Sequence, residues 1–278
     1  MIEFRSIDLL VKPQRVEDGA GVSILRTIGS QPLSTLDPFL MLDHFESSNP
    51  DDYVRGFPDH PHRGFVTLTH MLDGHMLHRD SMGNTGNLKS GGVQWMKAAR
   101  GVIHSEMPQQ EQGLMRGFQL WINLPAVEKM AEPEYQEFSA ADLPHVPLPD
   151  GTVTIAGGEY CGVRGPIMDP FTHLVYLDVR LGRDTKFHLD TDPSMTFIAY
   201  VFEGAVRCDR TRVPAPSLAT FSRGSAISLE TEVMASRLII VGGWPLREPI
   251  AKYGPFVMNT REEIEQAIRD FNSGHLTA

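Results

Sequence analysis

Apolar runs in this chain are short, and glycine or proline closes most of them. The sequence spreads 25 glycines and 20 prolines over 278 residues, and a long helix tolerates neither in its interior. Helical periodicity is nearly absent before the last twenty residues. The pattern therefore predicts an all-β chain, a sandwich or barrel of short strands. The clearest strand runs are residues 66–72, 174–179, 196–202 and 237–241. The one clear helix is C-terminal. Thr260 and Glu263 have capping-box spacing, Ile264, Ala267, Ile268 and Phe271 follow at i, i+3, i+4 and i+7, and Gly274 is the expected stop. That apolar stripe is expected to pack on the sheet.

An internal repeat divides the chain. Met71-Leu72-Asp73-Gly74-His75-Met76 parallels Val201-Phe202-Glu203-Gly204-Ala205-Val206, each a strand, an acidic-Gly turn and a second strand. This predicts two similar β-domains, residues 1–132 and 133–278, with the polar, proline-bearing stretch 131–151 as connector.

Composition narrows the function classes. A formal net charge of −10 and no basic run argue against direct nucleic-acid contact and against an anionic membrane surface. The first residues lack the apolar core of a signal peptide, and no apolar stretch reaches membrane-spanning length. Two distant cysteines, Cys161 and Cys208, fit a reducing compartment. The expected location is the cytoplasm.

Two pairs of residues carry the chemistry. His60 and His62 are one residue apart, as are His104 and Glu106. On a strand, side chains at i and i+2 point the same way, so two such strands can close a cage of three imidazoles and one carboxylate. That donor set suits a first-row transition metal, with Fe(II) among the leading candidates. Pro61 removes a backbone donor and predicts a strand end or edge. A lone His-x-His is weak among eleven histidines, but here both pairs sit beside a glycine or proline turn. The repeat supplies a control. At its offset His60 and His62 fall on Asp190 and Asp192, and His104 and Glu106 fall near Met234 and Ser236. The second domain is expected to keep the fold and lack the metal.

The motifs His60-Pro61-His62-Arg63-Gly64-Phe65, His78-Arg79-Asp80-Ser81, Gln94-Trp95-Met96 and Gly101-Val102-Ile103-His104-Ser105-Glu106-Met107-Pro108 resemble the pirin family of the cupin superfamily. The resemblance extends through Gln119–Pro125 and Tyr253–Thr260, spanning most of the chain. It implies a bicupin, two jelly-roll β-barrels with a C-terminal helix, holding its metal in the N-terminal domain only. It also implies His60, His62, His104 and Glu106 as ligands of one divalent metal, Fe(II) ahead of Zn, Mn, Ni, Co or Cu. Cupins usually carry a glutamate three or four residues past the His-x-His pair. This chain has Val66 and Thr67 there, which leaves Glu106 as the sole acidic ligand.

The activity implied by the resemblance is quercetinase chemistry, a metal-dependent dioxygenase that opens the central ring of a flavonol with O₂. Glu106 would then also serve as general base. The alternative is a non-catalytic regulator whose metal state alters a surface that binds a transcription factor or metabolic enzyme. Other residues are read more plainly. His70, His75 and His78 are expected in structural or solvent-facing roles, and His44 on a cavity wall or dimer surface. Trp95, Phe57, Phe65 and Met96 are expected in the core, the alternative being the lining of an apolar pocket for a planar ligand. Arg63 and Asp59 are expected either to orient the ligands or to salt-bridge at the strand end. Residues 89–93 read as a turn.

Overall fold

The computed structural model describes residues 2–278. Its strands divide into two compact units, each built from two stretches of chain.

The first unit contains residues 14–140 and 246–278. Its larger sheet has seven antiparallel strands, in the order Glu134–Phe138, Val93–Lys97, Phe65–Asp73, Met115–Asn123, Phe39–Ser47, Val22–Ile28 and Gln14–Asp18. Its smaller sheet has four, in the order Phe57–His62, Val102–Pro108, His75–Asp80 and Thr85–Lys89. One apolar cluster draws on both sheets, with Ile24, Phe45 and Met71 from the larger and Met76 and Leu88 from the smaller. The strand Phe57–His62 lies at a sheet edge, where Pro61 costs no ladder bond.

The second unit contains the N-terminal segment through Pro13 and residues 141–245. Its larger sheet runs Ile7–Val11, Ser217–Phe221, Thr196–Glu203, Ser236–Gly243, Val175–Leu181, Gly151–Gly157 and His145–Leu148. Its smaller sheet runs Lys186–Asp190, Ala226–Glu230, Ala205–Cys208 and Thr211–Pro214. Both units are thus two-sheet jelly rolls with one strand order. The repeated turns match: Gly74 and Gly204 each adopt positive φ, 114° and 71°, between a strand of the larger sheet and one of the smaller.

Two details of organisation exceed the linear reading. The chain ends are exchanged, since Ile7–Val11 occupies in the second unit the edge place that Glu134–Phe138 fills in the first. A division at residue 132 leaves this exchange out. The stretch 131–151 also contains strands, Glu134–Phe138 and His145–Leu148, one for each unit.

The helix Arg261–Asn272 belongs to the first unit. Thr260 caps it in a complete capping box, and Gly274 follows at φ 75°. Ile264 and Ala267 are buried with Phe256, Met258 and Leu276, and Ile268 packs against them. Phe271, the last of the stripe, remains 40% exposed.

Candidate metal centre

The smaller sheet of the first unit assembles the cluster through its register. Its second strand, Val102–Pro108, lies between Phe57–His62 and His75–Asp80. His104 is opposite His60 on one side and Asp80 on the other, Val102 is opposite His62, and Glu106 is opposite His78. Directly opposed residues share a face of an antiparallel sheet. His60, His62, His78, Asp80, His104 and Glu106 therefore all face the space between the sheets. Between His104 and Glu106 the pairing with the edge strand shifts register, a local irregularity of the kind found beside functional sites.

His104 is the hub. Its ring centroid lies 4.3 Å from that of His60, 4.9 Å from His62 and 5.2 Å from His78. The ligand atoms form two overlapping groups, His60–His62–His104 and His78–His104–Glu106, with atoms in each group within 4.8 Å of one another. Of the four residues predicted from the sequence, the three histidines come together directly. Glu106 joins them through His104, in a group that also contains His78.

The nitrogens are prepared for a cation. His60 donates from Nδ1 to the Pro58 carbonyl at 2.8 Å, which leaves Nε2 with the lone pair of the neutral ring. Nδ1 of His62 and Nε2 of His104 are buried without a hydrogen-bond partner. Burial, and next the neighbouring imidazole of His60, holds His62 well below the ordinary histidine range, against a backbone hydrogen bond to Pro255. His104 is lowered likewise, by burial first and then by His62, His60 and His78. Both rings are therefore neutral at physiological pH, the form that ligates metals. An unpaired buried polar atom costs about 1–3 kcal/mol, and a bound cation would remove that cost. The donor set fits a divalent transition metal.

Residues from the larger sheet hold the carboxylate. The Thr69 hydroxyl lies 3.0 Å from Glu106 Oε1 and 2.6 Å from Gln119 Oε1, while Gln119 Nε2 donates to Glu106 Oε2 at 3.3 Å. Behind His104, Nδ1 meets His78 Nδ1 at 3.4 Å, and His78 Nε2 meets Asp80 Oδ2 at 3.1 Å. Asp80 in turn accepts from the backbone of Met82 and Asn84 and from the Asn84 side chain. A tight turn thereby anchors a carboxylate–imidazole chain that ends on His104, an arrangement that orients metal-binding histidines.

His60, His62 and Glu106 open onto a cavity of about 690 Å³, within the range of small-molecule sites. Ile24, Phe45, Phe57 and Met76 form apolar wall, and Trp121 stands edge-on to His62 with centroids 5.2 Å apart. Arg26 at the wall is bound to Asp43 through two hydrogen bonds, 2.8 and 2.6 Å, and to Asp18 at 2.7 Å.

Several residues depart from expectation. His78 is not solvent-facing: it is buried against His104, because its register position opposite Glu106 turns it inward. His44 lies neither on the surface nor on the cavity wall. It is buried, stacked on Phe118 at 4.7 Å, with Nε2 3.5 Å from Glu46. Arg63, just past the strand end, takes the second of its two expected roles: it salt-bridges Asp270 at 2.6 Å and donates to the Arg100 and Leu276 carbonyls. Trp95, Phe65 and Met96 are core as expected, whereas Phe57 lines the cavity. Residues 89–93 make a turn with Gly91 at φ 81°. Thr69, Gln119 and Asp80 carry no site role in the sequence reading. Only His78-Arg79-Asp80 carried a signal, the same His-x-acid spacing as His104 and Glu106.

The alignment of the second unit also changes. The strand matching Val102–Pro108 is Ala226–Glu230, and the residues near Met234 and Ser236 do not match it. His188 and Asp190 pair with each other at 3.0 Å on the exterior. Among the described residues, both clusters of potential ligands lie in the first unit.

Fold and cluster together define a two-domain cupin with a candidate metal centre in one domain. The chain belongs to the pirin family. Residues 21–122 match the family model described as Pirin, and residues 176–277 match the Pirin C-terminal cupin domain. A pirin-like protein of Caulobacter vibrioides is 45% identical, covering 97% of this chain and 98% of the relative. Human pirin is 38% identical, covering 97% and 93%. Among solved structures, a quercetin 2,3-dioxygenase from Acinetobacter baumannii superposes with a TM-score of 0.91 at 34% identity, over 99% of each chain.

Proposed function

We propose that this protein binds one divalent transition metal through His60, His62, His104 and Glu106, with Fe(II) the leading candidate, and acts as a dioxygenase of the quercetin 2,3-dioxygenase type. The observation that carries this reading is the set of neutral histidines with unpaired buried nitrogens at His62 and His104, beside Glu106, at the wall of an aromatic-lined cavity. The similarity to the Acinetobacter baumannii dioxygenase supports it.

A metal held there would supply Lewis acidity and redox chemistry. The protein's own work is positioning and proton transfer. Trp121, Phe45 and Phe57 offer flat apolar walls for a planar flavonol. Glu106 takes the substrate hydroxyl proton on a carboxylate oxygen. Thr69 and Gln119 hold that carboxylate and keep it from swinging freely. A carboxylate that ligates a cation loses proton affinity, so Glu106 would be the stronger base when it is held by Thr69 and Gln119 alone.

Among the described residues no helix is long and apolar enough to cross a membrane. The cysteines are free, Cys161 exposed and Cys208 buried, and the proposed location is the cytoplasm. The test is anaerobic loading with Fe(II) followed by quercetin and air. The reading predicts bleaching of the flavonol absorbance with O₂ uptake. No turnover with Fe, Ni, Mn, Co, Cu or Zn would overturn catalysis and favour a regulator that binds a protein partner.

A further inference from the structure

The C-terminal hairpin closes one wall of the cavity and brings a cation to it. Its strands, Ala251–Tyr253 and Phe256–Met258, pair Lys252 with Val257, and Lys252, Gly254 and Pro255 all line the cavity. Alternation along the strand sends Tyr253 outward, 66% exposed. Lys252 instead lies over the face of Trp121, with Nζ 5.1 Å from the ring centroid. Trp121 in turn contacts His62. A single indole ring thus separates the ammonium from the histidine cluster.

Asp18 and Asp43 on the wall are committed to Arg26, while Asp59 lines the cavity as an exposed carboxylate. Of the two cations there, Arg26 is bound to Asp43 and Asp18. Lys252 has no hydrogen bond or ion pair of its own among the described residues, although it feels the charges of Asp43 and Asp18. Its pKa is lowered, by desolvation first and by repulsion from Arg26 next. A partly shielded ammonium over an aromatic face, at the open end of an apolar cavity, matches the shape and charge of a planar ring bearing an anionic oxygen.

We propose that Lys252 is an anion-recognition residue at the cavity mouth, and that the ligand admitted to the cluster is a planar aromatic anion whose charged oxygen meets Nζ while its ring lies along Trp121. The proposal deepens the reading of this cavity as a substrate site, but it makes a claim about binding that does not require turnover.

The experiment titrates the full chain with 2-naphthoate and with its neutral isostere 2-naphthamide, following tryptophan fluorescence or heat. Wild-type protein is expected to prefer the carboxylate by about fivefold, the scale of a partly exposed ion pair, and to lose the preference in high salt. Lys252→Met should bind both probes equally, at the amide's affinity, and Lys252→Arg should restore the preference. Metal content, measured on the same samples, should be equal in all three proteins. A preference that survives in Lys252→Met would overturn the proposal, as would equal or absent binding of both probes by the wild type. A protein that shows the preference and never consumes flavonol sinks the dioxygenase reading while leaving the role of Lys252 standing.

Discussion

Strands Phe57–His62 and Lys186–Asp190 hold the same edge position in matching four-stranded sheets, yet one carries candidate ligands and the other carries core. In the first unit the inward positions of the smaller sheet include His60, His62, His78, Asp80, His104 and Glu106, with Met76 and Leu88 as the apolar ones. In the second they are Phe187, Leu189, Ile227 and Leu229, all in one apolar cluster with Val206, Cys208 and Val213. The second unit does contain a histidine and an acid two residues apart, His188 and Asp190, but they stand on the outward parity of the strand. With a side-chain period of two, one position separates a ligand from a surface residue. A filled core stabilises the second unit, whereas the first gives up such packing for a cavity and a buried polar cluster.

The largest expected effect separates the two units by chemistry. Glu106→Gln should lower flavonol turnover by about 10²–10⁴-fold, the usual contribution of a general base, while retaining measurable metal. Full turnover in that variant would remove Glu106 from the proton step. The converse change is in the second unit. Phe187→Ala should destabilise the protein by about 3–5 kcal/mol in denaturant unfolding, as a buried aromatic deletion does, with the metal bound per folded chain unchanged. Altered metal affinity in that variant would mean the second unit is more than a packed scaffold. Next, His78→Ala should weaken metal binding by about 10–100-fold, the range for groups that orient a ligand from behind. Competition with a chromogenic chelator reads it, and an unchanged affinity would reduce the His78–Asp80 chain to packing.

The smallest effect is the pH dependence of the metal-free protein. His62 and His104 have folded pKa values below their unfolded ones, so the unfolded chain binds more protons in acid. Stability is then fully present above about pH 6.5 and declines as pH falls below it, by up to about 1.4 kcal/mol per pH unit for each histidine. Replacing His62 with Leu should flatten that slope, and an unaltered slope would place the acid sensitivity elsewhere.

Much of this difference was legible in the chain because its signals are local. The ligand pairs sit at i, i+2, the acidic-Gly turns repeat, and the capping box announces the helix. What escaped depends on contacts between distant strands. Nothing beside Thr69 or Gln119 marks them as holding Glu106. They reach it because their strands pair in the opposite sheet, with Thr69 across from Gln119. Lys252 comes to the cavity from a hairpin at the far end of the sequence, and Ile7–Val11 joins the unit that contains residue 220. The 130-residue offset held for the turn but for neither ligand pair: Asp190 stands on the outward face, Asp192 lies past its strand, and the strand matching the second pair begins earlier, at Ala226. Loop lengths between paired strands are free to differ while the register within a sheet is not.

A single metal centre built around His104, in one domain, underlies the proposed function. Elemental analysis of the full chain purified without added metal, beside the His104→Ala variant, tests it most directly. About one transition-metal ion per wild-type chain is expected, since the ligand set closes one site, with almost none in a folded His104→Ala protein. Equal metal in the two proteins would contradict it.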